Sequence, residues 1–187
     1  MKKGDVVIGN TRANIILIGM PGAGKSTVGV ILAKQTLRDF VDTDVLIQTS
    51  QKRTLQDIVD KDGFAALRKI EEEVLLGVSV RECVIATGGS AVYSDSAMQH
   101  LKSAGIVVFL DVDLPTLEAR IHDLRTRGIA KRPDQDFADL FNERLTLYRR
   151  YADITITYDG LTQEEVCARI MDELRGVGKL LPQVSCL

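Results

Sequence analysis

Asn14-Ile15-Ile16-Leu17-Ile18-Gly19, followed at once by Met20-Pro21-Gly22-Ala23-Gly24-Lys25-Ser26-Thr27, is the stretch on which the reading of this chain turns. The first six residues are an unbroken apolar run closed by glycine, which predicts a strand buried on both faces. Residues 19–26 match G-x-x-x-x-G-K-S, and the spacing of Val28, Ile31 and Leu32 predicts a helix from Lys25 to about Gln35. A strand, a glycine-rich turn and a helix in that order gather backbone N–H groups at a helix N-terminus, where the dipole also favours an anion. The pattern therefore predicts a site for the phosphates of ATP, built from Gly22, Ala23, Gly24, Lys25, Ser26 and Thr27. Lys25 would reach the β- and γ-phosphates, and the Ser26 hydroxyl would face Mg²⁺.

Outward from this loop the chain alternates short apolar runs with helical patterns. Further strands are expected at Phe40-Val41, Cys83 to Ala86, Ile106 to Leu110 and Ile154 to Thr157. Helices are expected from Thr54 onward, from Phe64 to about Leu76, over residues 95–103, from Leu114-Pro115, from Phe137 to Tyr151, and from the Thr162 to Glu165 capping box to about Gly176. Apolar strands alternating with helices mean a parallel sheet covered on both faces. Nothing in the chain marks a repeat or a linker, so one domain is expected over 1–187, with its core over about 13–176. Residues 1–12 read as a polar leader, and the last ten as a loose tail.

Composition narrows the class. The 187 residues carry 24 Lys and Arg against 26 Asp and Glu, a balance that argues against a nucleic-acid backbone binder. Cys83, Cys167 and Cys186 form no C-x-x-C pair, and His100 and His122 lack ligand-spaced partners, so neither disulfides nor a zinc site is expected. Asp5, Asn10 and Arg12 interrupt any signal-like core, and no apolar run approaches the ~20 residues of a membrane helix. These features predict a cytoplasmic protein. The guanine-reading N-K-x-D is absent. The phosphate loop by itself is shared by GTPases, motors and kinases, and it does not name the acceptor.

Several further segments, taken with the loop, resemble the shikimate kinase family over roughly residues 14–172. The resemblance implies a five-stranded parallel sheet in a three-layer P-loop kinase fold with a mobile lid over about 125–136, and ATP with Mg²⁺ as donor. Phe40-Val41-Asp42-Thr43-Asp44 resembles the family's D-T-D segment; if residues 42–44 are extended, both carboxylates point the same way. Asp42 would then hold the metal and Asp44 would accept from the acceptor's hydroxyl, unless one of them simply caps the next helix. Val107 to Asp111 also has the shape of a strand ending in a metal-binding acid, which leaves Asp111 as the rival to Asp42.

Phe64 to Glu72 resembles the segment in which an Arg binds the substrate carboxylate. Arg68 would do so here, steadied by Glu71 one turn on, although an i,i+3 surface pair would look the same. Thr87-Gly88-Gly89-Ser90-Ala91 resembles a Gly-Gly-Gly-Ala substrate wall, with Ser90 standing where the family usually has the third glycine. Residues 125–133 resemble the lid: Arg132 would reach over the phosphates and Arg125 would pack on the adenine, with Gly128 and Pro133 as hinges. Glu143-Arg144-Leu145-Thr146-Leu147-Tyr148 resembles R-x-P-L-Y, which makes Arg144 the second cation on the substrate carboxylate. The resemblance thus implies direct phosphoryl transfer by Lys25, Asp44 and Arg132 to a small hydroxylated acid held by Asp44, Arg68, Gly88, Gly89, Ser90 and Arg144. The enzyme would work as a monomer without nucleic-acid or membrane partners. A related kinase with another acceptor, or a nucleotide-binding regulator without transfer, are the other readings.

Overall fold

The computed structural model describes residues 13–120, 128–132, 134–158 and 160–176. The expected adenine-packing Arg125, the hinge Pro133, Cys186, His122, the polar leader and the tail lie outside the described residues.

Five parallel strands form one sheet in the order β2-β3-β1-β4-β5. They are β1 (Asn14–Ile18), β2 (Asp39–Asp42), β3 (Cys83–Ala86), β4 (Gly105–Asp111) and β5 (Ile154–Thr157). All five residues of β1 and all four of β3 are buried, as strands covered on both faces must be. Central β1 pairs with both neighbours, Ile16 standing beside Ile85 of β3 on one side and Val107 of β4 on the other. The chain runs β1 to β2 in one direction and crosses back from β3 to β4. That reversal leaves a crevice beyond the C-terminal ends of β1 and β3, where parallel sheets bind ligands.

The helices are α1 (Lys25–Thr36), α2 (Thr43–Gln51), α3 (Leu55–Asp62), α4 (Phe64–Gly77), α5 (Asp95–Ala104), α6 (Leu114–Arg120), α7 (Phe137–Tyr151) and α8 (Gln163–Gly176). One group, α1 with α8, packs on the sheet; α4 and α5 pack together, with α5 and α7 against β4. The main core joins the strands to Val28 and Leu32 of α1, Leu101 of α5, Leu140 of α7 and Ile170 of α8. A smaller apolar cluster under the acceptor side joins Ile47, Ile58 and Leu67 to Ala130. Residues 128–132 dock on it: Gly128, at φ +58°, lies against Leu55 with no room for a Cβ, and its N–H donates to Gln56 Oε1 at 2.9 Å. No described helix is long and apolar enough to cross a membrane.

The sequence reading needs one local correction. Residues 42–44 are not an extended run. Asp42 ends β2 as the N-cap of α2, its Oδ1 accepting from the N–H groups of Asp44 (2.9 Å) and Val45 (3.4 Å), so Asp44 sits in the first helical turn. The cap satisfies two amides that a helix start leaves without partners, and this local gain outweighs extension of the strand. Thr54 caps α3 as expected, in a reciprocal capping box with Asp57.

Candidate active site

Every strand end that faces the crevice delivers part of one cleft. Its volume is about 540 Å³, and its walls run from Gly22, Lys25, Ser26 and Thr27 past Asp44 and Glu71 to Gly88, Gly89, Ser90 and Arg144.

At one end lies the phosphate loop. Gly24 caps α1 at φ +90°, a conformation that glycine adopts without steric cost. Buried Lys25 donates to the carbonyls of Gly19 (2.8 Å) and Met20 (3.0 Å). Burial pulls its ammonium down to about 8, opposed chiefly by the carboxylate of Asp44. Ala23 anchors the loop: its side chain is buried in the core and its N–H closes a turn on Met20 O at 3.1 Å. Ser26 Oγ donates to Asp42 Oδ2 at 2.6 Å. One carboxylate thus caps α2 with one oxygen and holds the loop serine with the other. A hydroxyl beside a carboxylate is a hard-oxygen pair of the kind Mg²⁺ takes through one or two protein groups. The rival Asp111 turns to α7 instead, where its Oδ2 lies 3.5 Å from an Arg149 guanidinium nitrogen. Arg120, stacked on Tyr158 with its Cζ 4.5 Å from the ring centroid, and Gln163 complete this end.

At the other end are two cations and two carboxyls. Arg144 is 1% exposed, yet it forms no ion pair among the described residues. It donates to Ala130 O at 2.8 Å and lies within reach of the Tyr93 hydroxyl at 3.5 Å. Arg68 is half-buried and lies over the Tyr93 ring, its Cζ 3.5 Å from the ring centroid, with its Nε buried and unpartnered. The expected Arg68–Glu71 pair is not formed. Glu71, 2% exposed, accepts through Oε2 from the Ser90 hydroxyl, while its Oε1 has no partner. Burial pushes the Glu71 carboxyl up to about 7, with the Ser90 hydrogen bond acting against the rise. Burial likewise raises Asp44, against the pull of Lys25.

Gly88 explains the bare backbone between them. A Cβ there would overlap Glu71 Oε1 and stand 2.7 Å from Asp44 Oδ1, and one on Gly89 would stand 2.9 Å from an Arg144 nitrogen. Thr43 Oγ1 fixes the wall by accepting from Gly88 N at 3.1 Å, and the Tyr148 hydroxyl donates to Gly89 O at 2.6 Å.

Arg132 does not reach the cleft. Its guanidinium lies 3.2 Å from Glu143 Oε2, the nearest carboxylate to this half-exposed side chain. Gln135 Nε2 donates to the same oxygen at 2.7 Å, and the Tyr93 hydroxyl donates to Glu143 Oε1 at 2.5 Å. Tyr93 and Glu143 thus hold the Arg68 and Arg132 guanidiniums beside the cleft, although no motif singles them out. A tyrosine three residues past Ser90, in the short turn of residues 91–93, was the available signal. The structure therefore gathers Lys25, Ser26, Asp44, Gly88, Gly89, Ser90 and Arg144 around the cleft. It sets Asp42 behind Ser26, Arg68 against Tyr93 and Arg132 on Glu143.

Comparison with known proteins decides the class of this arrangement. A family model described as shikimate kinase matches residues 21–175. The chain belongs to the shikimate kinase family. A shikimate kinase of Thermodesulfovibrio yellowstonii is 35% identical over 163 residues, covering 86% of this chain and 94% of that protein. The one from Aquifex aeolicus is 36% identical over 163 residues, covering 87% and 96%. Among solved structures, a shikimate kinase from Acinetobacter baumannii in complex with shikimate superposes with a TM-score of 0.81 at 31% identity, covering 90% of this chain and 96% of that one. The three-layer P-loop kinase fold with five parallel strands, expected from the resemblance, is thus the fold of this chain.

Proposed function

We propose that this chain transfers the γ-phosphoryl group of ATP to a hydroxyl of shikimate, giving shikimate 3-phosphate. The observation that carries the reading is the pair Arg68 and Arg144. The Arg144 guanidinium is buried and that of Arg68 half-buried, neither forms an ion pair with a carboxylate among the described residues, and both reach the Ala130 carbonyl beside the cleft, in a chain of the family. A cation held away from water without a counter-ion suits an anionic ligand, and a planar carboxylate fits two guanidinium forks.

The acceptor's carboxylate would lie between these arginines, which puts its ring against Gly88 and Gly89. Asp44 would hold the reacting hydroxyl and take its proton as the oxygen bonds to the γ-phosphorus and the bond to the β-phosphate oxygen breaks. The burial that raises the Asp44 carboxyl suits it to that task. Lys25 would exchange the Gly19 and Met20 carbonyls for phosphate oxygens. Ser26 and Asp42 fit Mg²⁺, which when bound would offset phosphate charge. Arg132 would leave Glu143 for the transferring group, with the catalysis resting on positioning and electrostatics.

A coupled assay of ADP release with ATP, Mg²⁺ and shikimate tests this. Shikimate-dependent turnover that falls at least ~100-fold in Asp44→Asn is expected. ATP binding without any shikimate-dependent turnover would overturn the assignment.

A further inference from the structure

Arg68 of α4 and Arg144 of α7 carry the same charge, yet they converge on the same two groups. Both reach the Ala130 carbonyl, at 3.5 Å and 2.8 Å. Both also face Tyr93: the Arg68 Cζ lies 3.5 Å and the Arg144 Cζ 5.3 Å from its ring centroid. Like charges so placed oppose each other, and burial together with the Arg144 charge lowers the Arg68 guanidinium from its ordinary value. Tyr93 supplies an attraction for both without a formal charge. The face of an aromatic ring is negative and draws a cation to it. The Tyr93 hydroxyl donates to Glu143 Oε1 at 2.5 Å and stands 3.5 Å from Arg144 Nε. A hydroxyl that donates to a carboxylate is polarised toward a richer oxygen, so part of the Glu143 charge is felt at Arg144. The ring is also well anchored. It ends the short turn of residues 91–93, in which Ala91 and Val92 are buried in the main core and the Tyr93 N–H donates to Ser90 O at 3.0 Å.

We propose that Tyr93 is a positioning residue for the acceptor site: its ring carries Arg68 and its hydroxyl, tied to Glu143, steadies Arg144, so that two like-charged guanidiniums stay together with donors left for an anionic acceptor. The proposal rests on the reading of these two arginines as the acceptor's anion grip. A ring face occupies the plane of a guanidinium and leaves its edge, where the N–H groups point, to a ligand. The unpartnered Arg68 Nε is one such donor. Without the ring, Arg68 keeps its charge and loses its orientation, and an incoming carboxylate must then order the side chain itself.

Tyr93→Phe, which keeps the ring, and Tyr93→Leu, which does not, test this beside the parent. In ¹H–¹⁵N NMR of the ligand-free protein, the Arg68 Nε–H resonance is assigned by its loss in Arg68→Met. It is expected upfield of the ordinary arginine range in the parent and in Tyr93→Phe, shielded by the ring, and back within that range in Tyr93→Leu. An unshifted resonance in the parent overturns the proposal. Shikimate titrated into the same samples is expected to bind about tenfold more weakly to Tyr93→Leu and within about threefold of the parent to Tyr93→Phe. ADP, bound at the other end of the cleft, should bind all three alike; a matching loss of ADP affinity in Tyr93→Leu would show that the tyrosine serves the fold, and the proposal fails. In the Arg68→Met background, Tyr93→Leu should weaken shikimate binding by no more than about twofold further, because the tyrosine acts through that arginine. Full additivity in this cycle, undiminished binding by Tyr93→Leu, or a Tyr93→Phe as weak as Tyr93→Leu each overturns the proposal as well. A parent that binds no shikimate overturns the acceptor reading itself, and this outcome stands apart from the others because the ring-shifted Arg68 resonance is then present without a ligand to grip.

Discussion

Replacing Arg144 by Met should make the ligand-free protein more stable while removing its grip on the acceptor. The guanidinium is 1% exposed and has no ion-pair partner among the described residues. Its compensation is one good hydrogen bond to Ala130 O at 2.8 Å, a marginal one to the Tyr93 hydroxyl at 3.5 Å, and a ring contact at 5.3 Å. Removing an arginine from water costs several kcal/mol even after relaxation, and these contacts return roughly 2 to 3 kcal/mol of it. Methionine fills the space of the stem and carries no charge. The Ala130 carbonyl would still face an Arg68 nitrogen at 3.5 Å. A gain of about 1 to 3 kcal/mol is therefore expected, which at roughly 2–4 °C per kcal/mol for a chain of this size is visible in a thermal melt. Shikimate affinity should drop by 2 to 5 kcal/mol, about 30-fold to several thousandfold, because the ligand's carboxylate loses a desolvated partner. Urea unfolding of the free protein, paired with calorimetric binding, measures both. A loss of stability above about 2 kcal/mol would refute the reasoning, since it would show that Arg144 is held for the fold and not for a ligand.

Other outcomes follow from the same geometry. Gly88→Ala places a Cβ into Glu71 Oε1 and 2.7 Å from Asp44 Oδ1, so about 1 to 3 kcal/mol of destabilisation with a large loss of turnover is expected. Gly77→Ala, with open space around it, serves as the neutral control in the same melts and assays. Asp42→Asn keeps an N-cap as good as Asp, so its unfolding free energy in urea should stay within about 0.5 kcal/mol of the parent, while the Mg²⁺ concentration needed for turnover rises about 10- to 100-fold. Glu71 gives the stability a pH dependence. Its carboxyl rises from the ordinary 4.5 to about 7 on folding, so between those values the folded chain holds a proton that the unfolded chain has released. Stability from this group is full below pH 4.5 and is lost as pH rises through 7, by on the order of 3 kcal/mol. Urea melts across that range should show the slope in the parent and a clearly smaller one in Glu71→Gln, where the raised Asp44 carboxyl still contributes.

Much of this molecule was legible in the sequence because the signals were local. An apolar run ended by glycine and followed by G-x-x-x-x-G-K-S specifies a strand, a phosphate loop and a helix from short-range physics alone. The bounds of β3, β5 and α7 coincide with the apolar and periodic stretches that announce them. The start of α2 was less legible. Whether Asp42 continues a strand or caps a helix depends on two amides only two and three residues away, a competition that residue type by itself does not resolve.

What only the tertiary structure decided is which charges meet. Spacing along α4 favours an Arg68–Glu71 pair; the turn after β3, brought alongside by the sheet, puts a hydroxyl on Glu71 and a tyrosine ring under Arg68. The lid sequence offers Arg132 to the phosphates, and α7 offers it Glu143 first. Asp111 has the pattern of a metal ligand, yet Arg149 stands beside it, while Ser26 finds Asp42 sixteen residues away. Hydrophobic periodicity and backbone chemistry act between near neighbours and are written into the chain. Ion pairing and desolvation act between groups far apart in sequence, and their outcome exists only once the sheet has set those groups side by side.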